Sequence, residues 1–300
     1  MLPTQRACSI IRYILYSTRY CYTSNKLIKS MEKTRGDDTL VARLVGSSVS
    51  YIRRCLFRLL SVGPIPNHMA FILDGNRRYA KKHNLKEGMG YRAGFFPLMT
   101  LLKYCYELSV KCITIYAFSI DNFKRRPHEV DYVIDLMIDK IEGLLKEVKT
   151  VNRYGVRVLF IGNLKLLHEH FRIAAEKVMR ATANNKQSVL FICVAYASTD
   201  EIVHAAQECC EDKRAHEGRE IIKLADVERH MYMGTAPDVD IVVRTSGEMR
   251  LSNFLVWQSS CSLLYSPRAL WPEFGLRHLM LAVLMFQRSN PYLEKRRKQL

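Results

Sequence analysis

The chain has 300 residues, 48% hydrophobic and 25% charged: enough apolar material for one large domain or two ordinary ones, and the wrong composition for a disordered or fibrous protein. Forty-six Lys and Arg against 29 Asp and Glu leave a net charge of +17, which calls for an anionic partner: nucleic acid, an anionic membrane or a phosphorylated substrate. No run of about 18 apolar residues occurs, so the sequence offers no obvious transmembrane helix.

The charge is uneven. Residues 1–67 hold eleven basic residues against three acids, a net of +8, and the remaining 233 carry +9. Residues 1–30 lack acids and mix Arg, Ser and Tyr with Ile and Leu. That is the composition of a mitochondrial or plastid transit peptide, and equally of a plain basic tail; Met31 offers an alternative start. Over 40–62, Val41, Leu44, Val45, Val49, Ile52, Cys55, Leu56 and Leu59 recur at helical spacing, with Arg43, Ser47, Ser50, Arg54 and Arg58 opposite. The pattern predicts a basic amphipathic helix, suited to a membrane interface or to packing on a protein surface. Gly63-Pro64-Ile65-Pro66 stops it, so 1–67 reads as a basic extension and 68–300 as the main domain.

From His68 onward, short apolar runs alternate with helical patterns. Met69–Leu73, Cys112–Phe118, Val156–Ile161, Val189–Ala195 and Val239–Arg244 are Val-, Ile- and Phe-rich without strict polar alternation, as strands buried on both faces should be. The clearest helix is 127–149, with Val130, Val133, Ile134, Met137, Ile141, Leu144, Leu145 and Val148 on one face and Pro127 in its first turn. The expected fold is a single α/β domain with a mostly parallel central sheet flanked by helices. Residues 211–222 are highly charged and read as a surface excursion. The nine cysteines form no C-x-x-C pair. Most have apolar neighbours, which predicts small core residues in a reducing compartment rather than disulfides or a zinc ribbon.

Ligands of open parallel sheets bind at the carboxyl ends of strands. After the first predicted strand come Asp74, Gly75, Asn76, Arg77 and Arg78. A glycine turn, a helix start near Asn76 and two guanidinium groups suit a diphosphate, and the carboxylate suits Mg²⁺ bridging to phosphate oxygens. The alternative is Asp74 as a helix N-cap beside surface arginines. After the second strand, Ser119, Asn122, Phe123 and Arg125 bring hydroxyl, amide, aromatic and guanidinium groups into seven residues; the alternative is a solvated loop. After the fifth, Arg244, Arg250 and Ser252 surround a glycine turn, and guanidinium forks match phosphate geometry; the alternative is a basic loop paired with Glu248. No G-x-G-x-x-G and no P-loop occurs, which argues against a standard nucleotide enzyme. Basic groups at strand ends, rather than a basic face with stacking aromatics, argue against nucleic acid.

The strings HMAFILDGNRR (68–78), YAFSIDNF (116–123), RTSGEMRLSNF (244–254) and LWPE (270–273), in this order and spacing, resemble the cis-prenyltransferase family, the undecaprenyl and dehydrodolichyl diphosphate synthases. In detail, KKHNLKEG (81–88), GNLKLL (162–167), RATANN (180–185) and LYSP (264–267) resemble its plant dehydrodolichyl and rubber-type branch. The resemblance implies a fold with an apolar product tunnel. It implies repeated addition of isopentenyl diphosphate to an allylic diphosphate, with farnesyl diphosphate as the expected primer. It assigns Asp74 to catalysis and Mg²⁺. Gly75, Asn76, Arg77 and Arg78 go to the allylic diphosphate, Arg244, Arg250 and Ser252 to isopentenyl diphosphate, and Ser119 and Asn122 to assisting proton removal. Phe123 stands where bacterial members often have Trp, and Arg125 matches a substrate-binding arginine. Tyr91 stands where many members have His, and Leu263 where the homodimeric bacterial enzymes have a metal-associated Glu. The C-terminus lacks an Arg-x-Gly motif. The Leu263 and C-terminal departures resemble a eukaryotic catalytic subunit whose Nogo-B-receptor-like partner supplies that motif; Tyr91 carries no such implication. The lipid product and the 40–62 stripe imply the cytosolic face of the endoplasmic reticulum membrane, with an organelle as the alternative through residues 1–30. A non-catalytic subunit of the same complex is the second functional expectation.

Overall fold

The computed structural model describes residues 51–86, 88–215 and 221–299. The chain divides into two units, Met1–Gly63 and Pro64–Leu300. In the first, residues 51–60 are helical, so this part of the predicted amphipathic stretch folds as expected; residues 1–50 lie outside the described residues. The predicted stripe is not the buried side: Ile52, Cys55 and Leu59 are exposed, whereas Phe57 and Leu60 are buried.

The second unit alternates strands and helices. Its strands are β1 (His68–Ile72), β2 (Cys112–Ser119), β3 (Val156–Ile161), β4 (Ser188–Tyr196), β5 (Ile241–Arg244) and β6 (Leu263–Tyr265). Its helices are α1 (Asn76–Lys82), α2 (Met89–Glu107), α3 (Pro127–Lys146), α4 (Val148–Arg153), α5 (Glu169–Ala181), α6 (Ser198–Ala215), α7 (Leu224–His230) and α8 (Leu276–Arg297). The sheet is all parallel in the order β3-β4-β2-β1-β5-β6. All five predicted strands are present, and the fold is the expected α/β class. The sequence reading missed β6, a three-residue edge strand too short for a periodic signal. The predicted 127–149 helix ends at Lys146, and Val148 opens the next one. The charged excursion begins as the last turn of α6.

Every β1 residue is buried, the continuous-run signature of a central strand covered on both faces. On one face α3 and α5 pack Val130, Val133, Ile134, Ile141, Phe171 and Val178 against Phe118, Val158, Phe160 and Val194. On the other, Ala70, Ile72, Phe191, Cys193 and Val242 meet Met233, Phe254 and Leu255. The period-two alternation of Val158/Phe160 with Leu159/Ile161 assigns side chains to the two layers. Cys105, Cys112, Cys193, Cys209 and Cys261 are buried as expected; Cys55 and Cys210 are exposed.

β1 lies between β2 and β5, and the connections leaving it and its neighbour β5 run to opposite sides of the sheet. The crevice between the carboxyl ends of β1 and β5 is therefore the topological switch point, where open sheets bind ligands.

Candidate active site

Asp74 is placed by backbone, not by its side chain. Its carbonyl accepts from Thr245 Oγ1 at 2.5 Å and from the Trp271 amide at 2.9 Å. Gly75 follows at φ 116°, and a Cβ there would lie 2.8 Å from the Trp271 nitrogen, so no side chain fits the turn. Gly75, not Asp74, is the cap residue of α1, and no side chain caps that helix, which leaves the carboxylate for other chemistry. Asn76 Nδ2 donates to the Leu73 carbonyl at 3.0 Å, closing the turn. Because α1 has only seven residues, its dipole is short, and the positive charge at this strand end comes from guanidinium groups.

Those groups converge across the β1–β5 crevice. Arg244 Nη2 meets Asp74 Oδ2 at 2.8 Å, and Arg78 Nη2 meets Oδ1 at 3.4 Å. Arg244 Nη1 donates to Ser252 Oγ at 2.5 Å and to the Arg250 carbonyl at 2.6 Å. Arg78 also donates to Ser246 Oγ at 2.5 Å and pairs with Glu248 at 3.4 Å; Arg250 pairs with the other Glu248 oxygen. Burial alone would raise the Asp74 carboxyl, but the hydrogen bond and charge of Arg244 and the charge of Arg78 outweigh it and hold the group below its usual range. Asp74 is thus an anion at neutral pH. The Arg244 Nε is buried without a partner.

The Ser252 loop is bent sharply, with Ser252, Asn253 and Leu255 at φ 51°, 59° and 44°. It is tied to the first turn of α6. The Asn253 carbonyl accepts from the Ser198 amide at 2.8 Å, and its Oδ1 accepts from the Thr199 amide at 3.2 Å. The Asn253 amide group donates to Thr199 Oγ1 at 2.9 Å. Burial pushes the Tyr116 phenol up to about 12, so it stays protonated and donates to the Tyr196 carbonyl at 3.1 Å and the Ser252 carbonyl at 3.4 Å. The ends of β2 and β4 thereby fix the loop that carries Ser252.

The second predicted cluster forms a tight turn over Ile120–Lys124. Ser119 Oγ accepts from the Asp121 amide and Asn122 Oδ1 accepts from the Ser119 amide, both at 3.1 Å, a reciprocal cap rather than a solvated loop. Phe123 packs edge-on against Phe118 at 5.0 Å and joins the apolar layer beneath. Arg125 Nη1 donates to the Tyr91 hydroxyl at 2.8 Å and to Glu129 at 3.1 Å. Arg77 turns away from Asp74 toward Glu129, 3.9 Å distant, and is 67% exposed. Two groups of predicted residues therefore exist, one around Asp74 and one around Glu129, and adjacent α1 residues reach into both.

Glu129, Asn253 and Ser246 were missed by sequence reasoning. Glu129 looked like one charge on a helix, yet it is only 7% exposed and joins Arg77, Arg125 and Tyr91. The signal was its place one turn after Arg125. Leu263 opens β6 level with Ile241, three residues back from Arg244 along β5. No cluster of three or more His, Cys, Asp or Glu suited to a metal occurs among the described residues. A single ionised carboxylate fits Mg²⁺ only together with substrate phosphates and water, the usual mode for that ion.

The family described as putative undecaprenyl diphosphate synthase matches residues 72–293. A dehydrodolichyl diphosphate synthase of Solanum lycopersicum, CPT3, is 55% identical over 281 residues, covering 86% of this chain and 97% of its own length. The rubber cis-polyprenyltransferase HRT2 of Hevea brasiliensis is 51% identical over 288 residues, 90% and 100% of the two chains. Human dehydrodolichyl diphosphate synthase complex subunit is 37% identical over 254 residues, 83% and 75% of the two chains. The crystal structure of lavandulyl diphosphate synthase from Lavandula x intermedia with dimethylallyl diphosphate superposes with a TM-score of 0.70 at 29% identity, covering 74% of this chain and 95% of the other. With the motifs, the switch-point site and these likenesses in agreement, the chain belongs to the cis-prenyltransferase family and is a transferase of prenyl groups.

Proposed function

We propose that the protein elongates an allylic diphosphate, farnesyl diphosphate as primer, by repeated cis addition of isopentenyl diphosphate, giving a long-chain dehydrodolichyl-type diphosphate. The observation that carries this is the convergence of Asp74, Arg78, Arg244, Arg250 and Ser252 at the β1–β5 switch point. Asp74 is ionised and aimed by its fixed backbone, so it would hold Mg²⁺ against the diphosphates, and the ion would offset charge on the leaving group. In each addition the allylic carbon–oxygen bond breaks and pyrophosphate leaves with the electron pair. A new carbon–carbon bond forms to the isopentenyl unit, which loses a proton. Arg78 faces the allylic diphosphate, with Arg77 beside Glu129 as its second expected arginine, and Arg244, Arg250 and Ser252 face the isopentenyl diphosphate. Ser119 and Asn122 keep their proposed part in proton removal, and Phe123 and the α3–α5 layer receive the growing chain. The retained and assembled Asp74 site favours this over a non-catalytic subunit.

A heteromeric complex is part of the proposal. The human relative is described as a complex subunit, and Leu264 on β6 with Leu281, Leu284 and Met285 on adjacent α8 presents exposed apolar surface. We assign this face to a Nogo-B-receptor-like partner. Exposed Ile52, Leu59 and Val62 beside Arg54 and Arg58 support contact with an anionic membrane, at the cytosolic face of the endoplasmic reticulum. The test is co-expression with candidate partners and chain-length analysis of products from farnesyl and isopentenyl diphosphates with Mg²⁺. Failure of every combination to incorporate isopentenyl diphosphate overturns the reading.

A further inference from the structure

The groups at the switch point close into a ring. Arg244 pairs with Asp74, Asp74 with Arg78, Arg78 with Glu248 and Glu248 with Arg250, whose carbonyl accepts from Arg244. Asp74 is accounted for by metal and substrate. Glu248 is not: it is an anion placed on the arginines assigned to two other anions. Its two oxygens engage different arginines, Oε1 facing Arg78 and Oε2 facing Arg250. The backbone around it is anchored. Ser266 Oγ donates to the Glu248 carbonyl at 2.8 Å, and the Gly247 and Ser246 amides donate to the carbonyls of Pro267 and Ala269 at 2.8 and 2.7 Å. The arginine side chains are the more exposed partners, 48% for Arg78 and 64% for Arg250 against 30% for Glu248. A fixed carboxylate thus meets two long cations, one from each proposed diphosphate subsite.

We propose that Glu248 is an internal competitor for diphosphate, occupying the guanidinium groups of Arg78 and Arg250 whenever no phosphate does and so limiting how tightly either subsite retains its anion. This rests on the reading that those arginines bind substrate diphosphates. The consequence follows from repetition. After every addition pyrophosphate must leave and the lengthened diphosphate must be regripped, and an anion that re-pairs with each arginine as phosphate departs offsets the cost of that departure. A carboxylate that served only to position the arginines would have the opposite effect on binding, because its loss would leave the cations disordered.

The sign of one measurement separates the two. Inorganic pyrophosphate, with magnesium chloride present, is titrated calorimetrically into the full chain and into its Glu248→Gln variant. The competitor predicts that pyrophosphate binds roughly fivefold tighter to Glu248→Gln, the scale set by removing one or two partly exposed ion pairs. Glu248→Ala, which deletes the whole carboxylate arm, must shift affinity in the same direction, and damage to the fold cannot mimic a gain of affinity. Unchanged or weaker binding to both variants, while the wild-type chain binds pyrophosphate, overturns the competitor and leaves the functional reading standing. Failure of the wild-type chain to bind pyrophosphate overturns the competitor together with the assignment of Arg78 and Arg250 to diphosphate.

Discussion

At the residue scale the proposed chemistry turns on one carboxylate, Asp74, held ionised by its neighbours. The pull of Arg244 and Arg78 outweighs the desolvation of Asp74, so its folded pKa lies below the unfolded value. The sign follows by linkage: the contribution is present above the unfolded value of about 3.9 and is lost as pH falls through the lower folded value. Turnover should accordingly keep its Asp74 anion down to about pH 4, and a pH–rate profile whose Asp74-dependent limb lies above pH 5 contradicts this. Replacing Asp74 by Ala should cut turnover by about a hundredfold or more, since it removes the proposed metal ligand and the shared partner of Arg244 and Arg78, while the circular dichroism spectrum stays native. Unchanged turnover refutes the role. Arg244 is the less replaceable partner: one guanidinium serves Asp74, Ser252 and the Arg250 carbonyl at once, and a lysine at this position has no fork to do so.

At the element scale the site is three strand ends and the loops behind them. Asp74, Ser119 and Arg244 were legible because buried strands write themselves as apolar runs, and the first polar residues after each run must lie at the carboxyl edge. The turn at Gly75 was legible for the same reason. What could not be read was which loops touch. Asn253 carries no signal in its own neighbourhood, yet it caps α6 from 54 residues away in sequence and holds a positive φ that Asn tolerates better than most residues. Asn253→Ala should lose the cap and strain the loop, costing about 1–2 kcal/mol in urea denaturation. It should also raise the KM for isopentenyl diphosphate several-fold, through displaced Ser252, with less effect on the KM for the allylic substrate; equal effects on both would remove the positioning role. On the other face of the sheet, Phe171 of α5 is fully buried and packs edge-on against Phe160 of β3. Phe171→Ala should cost about 3–5 kcal/mol in the same assay.

At the scale of the whole molecule the charge of +17 resolves into local tasks. Part of the basic excess converges on Asp74 and Glu129, where five arginines surround three carboxylates, Glu248 being the third. The exposed apolar side chains of β6 and α8, Leu264, Leu281, Leu284 and Met285, are a separate feature, the face proposed for a partner. Leu281→Asp with Leu284→Asp should abolish co-purification with the proposed partner while the chain remains folded, as judged by its thermal melt; undiminished co-purification removes this face from the proposal. The sequence by itself determined the α/β class, the five long strands, the family and the three site loops, because these depend on short-range periodicity and on contiguous residues. The tertiary structure alone decided that Arg78 joins Asp74 while Arg77 turns to Glu129, that Glu129 is buried among cations, that Asn253 braces α6, and that Glu248 closes a ring of charges. Each of these depends on distances between loops that chain connectivity leaves free and only the packing of strands β4, β2, β1 and β5 side by side fixes.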